Sequence, residues 1–159
     1  MTGLSDLLAP SAVAIVGASD DPTRIGGRPI KYMQAFGYEG RILPVNPRRE
    51  VLQGLPAFPS LDAIEGGIDY ALIATPAPTV PEAIRAAAAK GAKAAMVFSS
   101  GFREVGEEGA ALEAAALAAA REAGLRLIGP NCLGGFNAAT GFTPCFSATL
   151  ERGRPETGG

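Results

Sequence analysis

The 159-residue chain contains no histidine, and that one absence removes several kinds of chemistry. A Ser-His-Asp or Cys-His pair, an H-E-x-x-H zinc site and a phosphohistidine relay all need an imidazole that titrates near neutral pH or ligates metal. This chain can assemble none of them alone. Its two cysteines are too few to hold zinc without other soft ligands, or to build the disulfide framework of a small secreted domain. Charge is sparse as well: 19% of residues are charged and the formal net charge is -2. The basic residues are scattered, which argues against a nucleic-acid surface. No apolar run approaches the roughly 20 residues of a membrane span, and the Met-Thr-Gly-Leu-Ser-Asp start lacks the basic region of a signal peptide. The expectation is a soluble cytoplasmic protein with no metal, no nucleic-acid partner and no membrane contact.

What is present is apolar: 47% of residues are hydrophobic, a share swollen by the alanine-rich run at 110–123. The length suits one domain, able to bury roughly 70% of its unfolded surface. Short apolar runs at residues 12–16, 41–45, 70–74, 94–98 and 125–128 lack apolar/polar alternation, as strands covered on both faces do. Helix-like stretches separate them. Residues 29–36 carry Ile30 and Met33 on one side and stop at Gly37, a natural left-handed C-terminal residue. Thr79-Val80-Pro81-Glu82 reads as a capping box opening a helix that runs to Lys90 and ends at Gly91. A third helix, about 107–123, is nearly all alanine and leucine and closes at Gly124; its alanines let it lie close on a sheet. Between the second and third strands, an extended piece is expected near 55–58 and a helical turn near 61–64. The fold class is therefore α/β, a Rossmann-like, doubly wound, mainly parallel sheet with helices on both faces.

Ligands of such sheets bind beyond the carboxyl ends of the strands. After the first strand stands a loop from Gly17 through Ser19, Arg24 and Ile25 to Gly26, feeding a helix. Amides and the positive helix end there favour phosphate or pyrophosphate, although the glycine spacing departs from a strict G-x-G-x-x-G and turn geometry alone also explains the glycines. After the second strand comes Asn46-Pro47-Arg48-Arg49, where a site for the ribose of NAD usually carries a carboxylate. Two guanidinium groups there suit an extra phosphate, the 2′-phosphate of NADP or the 3′-phosphate of coenzyme A. Beyond the third strand, Thr75 and Pro76 begin a rigid bend suited to a wall against adenine or pantetheine. The fourth strand ends in Phe98-Ser99-Ser100, and the fifth in Gly129-Pro130-Asn131-Cys132. Cys132 reads as packing, because nothing in the sequence activates its thiolate; a bridge to Cys145 is disfavoured in the cytosol.

Taken in order, Val13-Ala14-Ile15-Val16-Gly17-Ala18-Ser19, Pro44-Val45-Asn46-Pro47, Ala74-Thr75-Pro76-Ala77-Pro78, Phe98-Ser99-Ser100-Gly101-Phe102 and Gly129-Pro130-Asn131-Cys132-Leu133-Gly134 resemble the CoA-binding domain of the nucleoside-diphosphate-forming acyl-CoA synthetases, the superfamily of succinyl-CoA synthetase alpha subunits and ADP-forming acetyl-CoA synthetases. The resemblance covers about residues 7–150. It implies CoA as ligand, with Ser19 to Gly26 and Arg48 or Arg49 against its phosphates, Pro76 beside the nucleotide or pantetheine, Phe98, Ser99 and Ser100 along the arm, and Asn131 near the reacting end. In the succinyl-CoA synthetase branch the loop is shorter, and a Thr-Glu pair stands at the positions of Ser99 and Ser100. The resemblance also implies that a histidine in a following succinyl-CoA-ligase-like domain and an ATP-grasp part carry catalysis, so this chain alone would bind CoA without turnover. Residues 1–136 would form the CoA-binding domain. Residues 137–159, with their Asn, Thr, Gly and Pro, read as a linker toward a further domain. Three alternatives stay open at this stage: an NADP-binding Rossmann domain, a stand-alone CoA-binding regulatory module, and the first domain of a protein acetyltransferase.

Overall fold

A computed structural model of the chain describes residue 3 and residues 7–158. In chain order its regular elements are β1 (Ala12–Val16), α1 (Arg28–Ala35), β2 (Arg41–Val45), β3 (Val51–Leu52), β4 (Leu55–Pro56), β5 (Tyr70–Ile73), α2 (Val80–Ala89), β6 (Ala94–Val97), α3 (Glu107–Glu122) and β7 (Arg126–Ile128), with short 3-10 turns at Ala77–Thr79, Arg103–Val105 and Ala148–Arg152. The main sheet is parallel in the order β2-β1-β5-β6-β7, and β3 and β4 form a separate antiparallel hairpin. Every residue of β5 and β6 is buried, because α2 and α3 cover one face while α1 and the segment around Phe142 cover the other. Ile30 and Met33 of α1 pack on one face against Val13, Ile15 and Leu72. On the other, Ile84 and Ala87 of α2 and Ala116, Ala119 and Ala120 of α3 meet Ala14, Ala71, Ile73 and Ala95. In the first turn of α3, Gly109 has no room for a Cβ beside the Phe102 carbonyl. The α/β doubly wound fold is thus the one the apolar runs describe.

One local expectation is corrected, and two others gain detail. Thr79 caps nothing with its side chain; its hydroxyl donates back to the Pro76 carbonyl at 2.7 Å and stands 2.9 Å from Thr75 Oγ1, because a 3-10 turn precedes α2 and leaves Thr79 itself helical (φ -90°, ψ -11°). The extended piece near 55–58 is half of a hairpin, paired with β3 through Leu52 and Leu55. Beyond it, Phe58 bridges Val45 in parallel.

The stretch read as linker from 137 onward packs on the folded body over part of its length. Residues 141–145 are all buried, and Phe142 stands edge-on to Tyr70 with ring centroids 5.2 Å apart. Tyr32 donates its hydroxyl to the Ser147 carbonyl at 2.8 Å, and Arg28 reaches the Phe146 carbonyl at 3.1 Å. Arg154 donates to the Phe36 carbonyl at 2.7 Å and to those of Ala138 and Ala139. Polar composition hides an irregular strap that covers the face of β5 and β6 left open by α1. No helix among the described residues is long and apolar enough to cross a membrane.

Candidate functional site

A parallel sheet puts all its strand carboxyl ends on one edge, and here β1 lies between β2 and β5. The chain leaves β1 toward α1 on one face and leaves β5 toward α2 on the other, so a cleft opens where the two connections part. Gly17, the first residue past β1, has φ +82°, and a Cβ there would stand 2.9 Å from the Ala74 carbonyl oxygen. Only glycine lets the two strand ends approach so closely.

Gly17, Ser19, Arg24, Ile25, Gly26, Asn46 and Arg49 share this one cleft of about 720 Å³. Its loop is folded on itself. The Ser19 amide donates to the Gly26 carbonyl at 3.3 Å, and Ser19 Oγ accepts from the Asp21 amide at 3.1 Å. Asp21 takes two bonds from Thr23, which hold its carboxyl below the usual carboxylate range, and lies 3.6 Å from Arg24 Nε. Both partners of that pair are exposed, so it adds little stability. The amides of Ile25 and Gly26 meet no protein acceptor among the described residues, and the amino end of α1 stands just behind them. Asn46 lines the cleft and braces it: its Nδ2 donates to the Ala18 carbonyl at 2.9 Å and its Oδ1 accepts from the Arg48 amide at 2.8 Å. Arg49 lines the cleft and pairs with no acid among the described residues. Arg48 is exposed and outside the lining. Two amides, a helix end and a guanidinium without a partner among the described residues are the kinds of donor that suit an anion.

The other expected residues lie further along the same edge. Thr75 borders a second, more apolar hollow of about 460 Å³ that shares Gly17 with the first and includes Pro47 and Leu61. Pro76 is exposed at the start of the bend. Ser99 donates its hydroxyl to the Thr75 carbonyl, and the Asn131 amide donates to the Ser99 carbonyl at 3.0 Å, so the ends of β5, β6 and β7 are tied together. Ser100 and Asn131 are exposed. Phe98 turns its ring inward against Phe146, centroids 5.0 Å apart, so only its backbone remains for a ligand. Sequence reading passed over Leu52 and Ala74, which line the cleft, and Gln53, whose carboxamide grips the loop. The Gln-Gly pair between two short apolar pieces was the available signal, as a two-residue hairpin turn.

Cys132 and Cys145 are free thiols. Burial pushes the Cys132 thiol up, and its Sγ rests 3.5 Å from the Val97 carbonyl oxygen. Iodoacetamide should therefore alkylate Cys132 at pH 7 roughly threefold or more slowly than free cysteine, with the rate climbing only as pH passes the ordinary thiol range. Faster modification than free cysteine at pH 7 would show an activated thiolate. Among the described residues no cluster of three His, Cys, Asp or Glu is placed to hold a metal ion.

Comparison with known proteins adds to this geometry. Residues 11–137 match the family described as CoA binding domain. The ADP-forming acetate–CoA ligase II of Archaeoglobus fulgidus is 40% identical over 144 residues, 91% of this chain and 21% of the relative. A trans-feruloyl-CoA synthase from an unknown prokaryotic organism is 42% identical over 130 residues, 80% of this chain and 18% of its own. The structure of a dinucleotide-forming acetyl-coenzyme A synthetase 1 from Ca. Korarchaeum cryptofilum, in complex with phosphate and ADP, superposes with a TM-score of 0.85 at 36% identity, covering 92% of this chain and 31% of that one. The chain thus spans about a fifth of the length of these two curated relatives.

Proposed function

The chain belongs to the CoA-binding domain family, and from that premise we propose that it holds CoA along the carboxyl edge of its sheet as one domain of an ADP-forming acyl-CoA synthetase. The observation that carries the reading is the convergence of the Ile25 and Gly26 amides, the amino end of α1 and the unpaired Arg49 on one cleft. The pyrophosphate lies on the loop from Ser19 to Gly26, where neutral amides and the helix dipole stabilise negative charge. Arg49, with Arg48 beside it, takes the 3′-phosphate. The rest of the ligand follows the edge past Thr75 and Pro76, then the polar backbone at Ser99 and Ser100, with the thiol end toward Asn131.

Cleft charge alone does not attract the ligand, because Asp20 and Asp21 offset Arg24 and Arg49 in the lining. Attraction comes from directed donors. Each charge-assisted hydrogen bond contributes about 1.5–3 kcal/mol, less where solvent screens it. Isothermal titration with CoA, dephospho-CoA and NADPH tests the assignment. CoA should bind in the micromolar range or tighter and NADPH far more weakly; preference for NADPH, or no binding by either below millimolar, refutes it. Replacing Arg49 by alanine should weaken CoA about tenfold, the equivalent of 1.4 kcal/mol, and leave dephospho-CoA unchanged. Equal loss for both ligands would place Arg49 elsewhere.

The full reaction, acid plus CoA plus ATP giving acyl-CoA, ADP and phosphate, is assigned to the larger protein, with a succinyl-CoA-ligase-like domain and an ATP-grasp part as partners in the cytoplasm. Relatives that differ in acid, acetate in one and ferulate in another by their names, support a CoA-holding role that is common to them while acid choice lies in other parts. The isolated chain, having no histidine, should release no ADP from ATP in the presence of acetate and CoA.

A further inference from the structure

The turn joining β3 to β4 has two residues, Gln53 and Gly54, with φ of +47° and +80°. Such a turn needs positive φ at both positions, which favours asparagine, aspartate or glycine at the first. Glutamine is poorly suited to it. The side chain that the backbone carries in this unfavourable place makes two directed contacts: Nε2 donates to the Ser19 carbonyl at 3.0 Å and to the Gly27 carbonyl at 2.9 Å. Both acceptors are carbonyls, so the amide orientation follows from the partners. One nitrogen with two hydrogens thus ties together the first and last residues of the loop that encloses the anion cleft. The Gln53 amide adds a bond to Asp20 Oδ1 at 2.8 Å, and its carbonyl accepts from Gln34 of α1 at 3.1 Å. Beneath it, Leu52 is buried in the core and anchors the hairpin.

Resting on the reading of the cleft as a CoA phosphate site, we propose that Gln53 is a positioning residue for the CoA pyrophosphate. Gln53 is not part of the cleft lining; it acts by fixing the span between Ser19 and Gly27, which aims the Ile25 and Gly26 amides before ligand arrives. A loop ordered in advance loses less conformational freedom on binding. Asparagine would keep the amide and ease the turn but falls one methylene short of the two carbonyls. Glycine would ease the turn and remove the clasp.

The test uses the full chain with Gln53→Asn and Gln53→Gly, measuring melting temperature, affinity for CoA and dephospho-CoA, and backbone ¹⁵N heteronuclear NOEs. Melting temperatures are expected to stay equal or rise, because both residues suit positive φ. Affinity should fall about tenfold for CoA and by the same factor for dephospho-CoA, since the pyrophosphate is common to both, and the NOEs of Ile25 and Gly26 should drop. Wild-type affinity within twofold in both variants overturns the proposal. So does a joint fall of melting temperature and affinity, which marks a merely structural role, or a loss confined to CoA. If the wild-type chain binds no CoA, the site reading fails and the affinity claim with it, while unchanged or lowered NOEs still decide separately whether the clasp orders the loop.

Discussion

Alanine at position 26 is expected to weaken CoA binding by about a hundredfold while the chain stays folded. A Cβ on Gly26 would collide with the Gly17 carbonyl oxygen, and the next nearest atoms are the Gly17 carbonyl carbon at 3.1 Å and Ala18 Cα at 3.4 Å. All three are backbone, and none can rotate away as a side-chain tip would. Gly17 and Ala18 moreover follow directly on β1, which is paired on both sides, and their amides are pinned to the Val45 carbonyl, at 3.2 Å each. The loop must give instead. Its outward shift turns the Ile25 and Gly26 amides off the phosphate oxygens, and losing two charge-assisted bonds costs about 3 kcal/mol, near a hundredfold in affinity. Residues 20–25 are exposed, so their displacement should cost the fold far less. Calorimetric titration beside a circular-dichroism melt decides: affinity within threefold of wild type would mean that the phosphates lie away from this loop.

Replacing Phe142 by alanine should destabilise the chain by about 3–5 kcal/mol, as buried phenylalanine truncations do, lowering the melting temperature by roughly 10 °C. Phe142 is 1% exposed and contacts both Tyr70 and Tyr38, with ring centroids 5.2 Å and 5.6 Å away. Tyr38 and Tyr70 are held neutral by burial, their hydroxyl pKa values pushed well above the ordinary tyrosine range. Removing the ring leaves a void between two aromatic groups that neither can fill by rotation alone. A loss under about 1 kcal/mol, measured by urea denaturation, would show that the strap contributes nothing to the folded unit and would restore the linker reading of this segment.

The contrast between Phe142 and the central strands explains how far the sequence could be read. Residues 12–16 and 41–45 coincide with β1 and β2, and the other three strands are each one residue shorter than the apolar runs suggest. Burial on both faces leaves a continuous apolar signature visible within a short window. Because parallel strands end on one edge, knowing the strands also located the cleft residues Gly17, Ser19, Gly26, Asn46 and Arg49. Phe142 has no such signature: its neighbours Gly141 and Thr143 are turn formers, and its partner Tyr70 lies far back in the chain. Gln53 was illegible for the same reason, since its contacts at Ser19 and Gly27 are 34 and 26 residues away. Thr79 shows the opposite failure, a correct local motif overruled because the turn before it had already taken its hydroxyl.

Arg154 carries one more consequence. Its guanidinium fastens the strap to the carboxyl end of α1 through the Phe36 carbonyl, and to its own turn through Ala138 and Ala139. A tether begins where the folded body stops holding the chain. Any module joined beyond this strap would swing from residue 155 rather than from residue 137, giving up as much as roughly 60 Å of free reach at about 3.3 Å per extended residue. Shorter leashes raise the local concentration of what they carry, and Arg154 lies with Ser11 and Arg41 at the amino ends of β1 and β2, so a module on this leash would start from the edge of the sheet opposite the cleft.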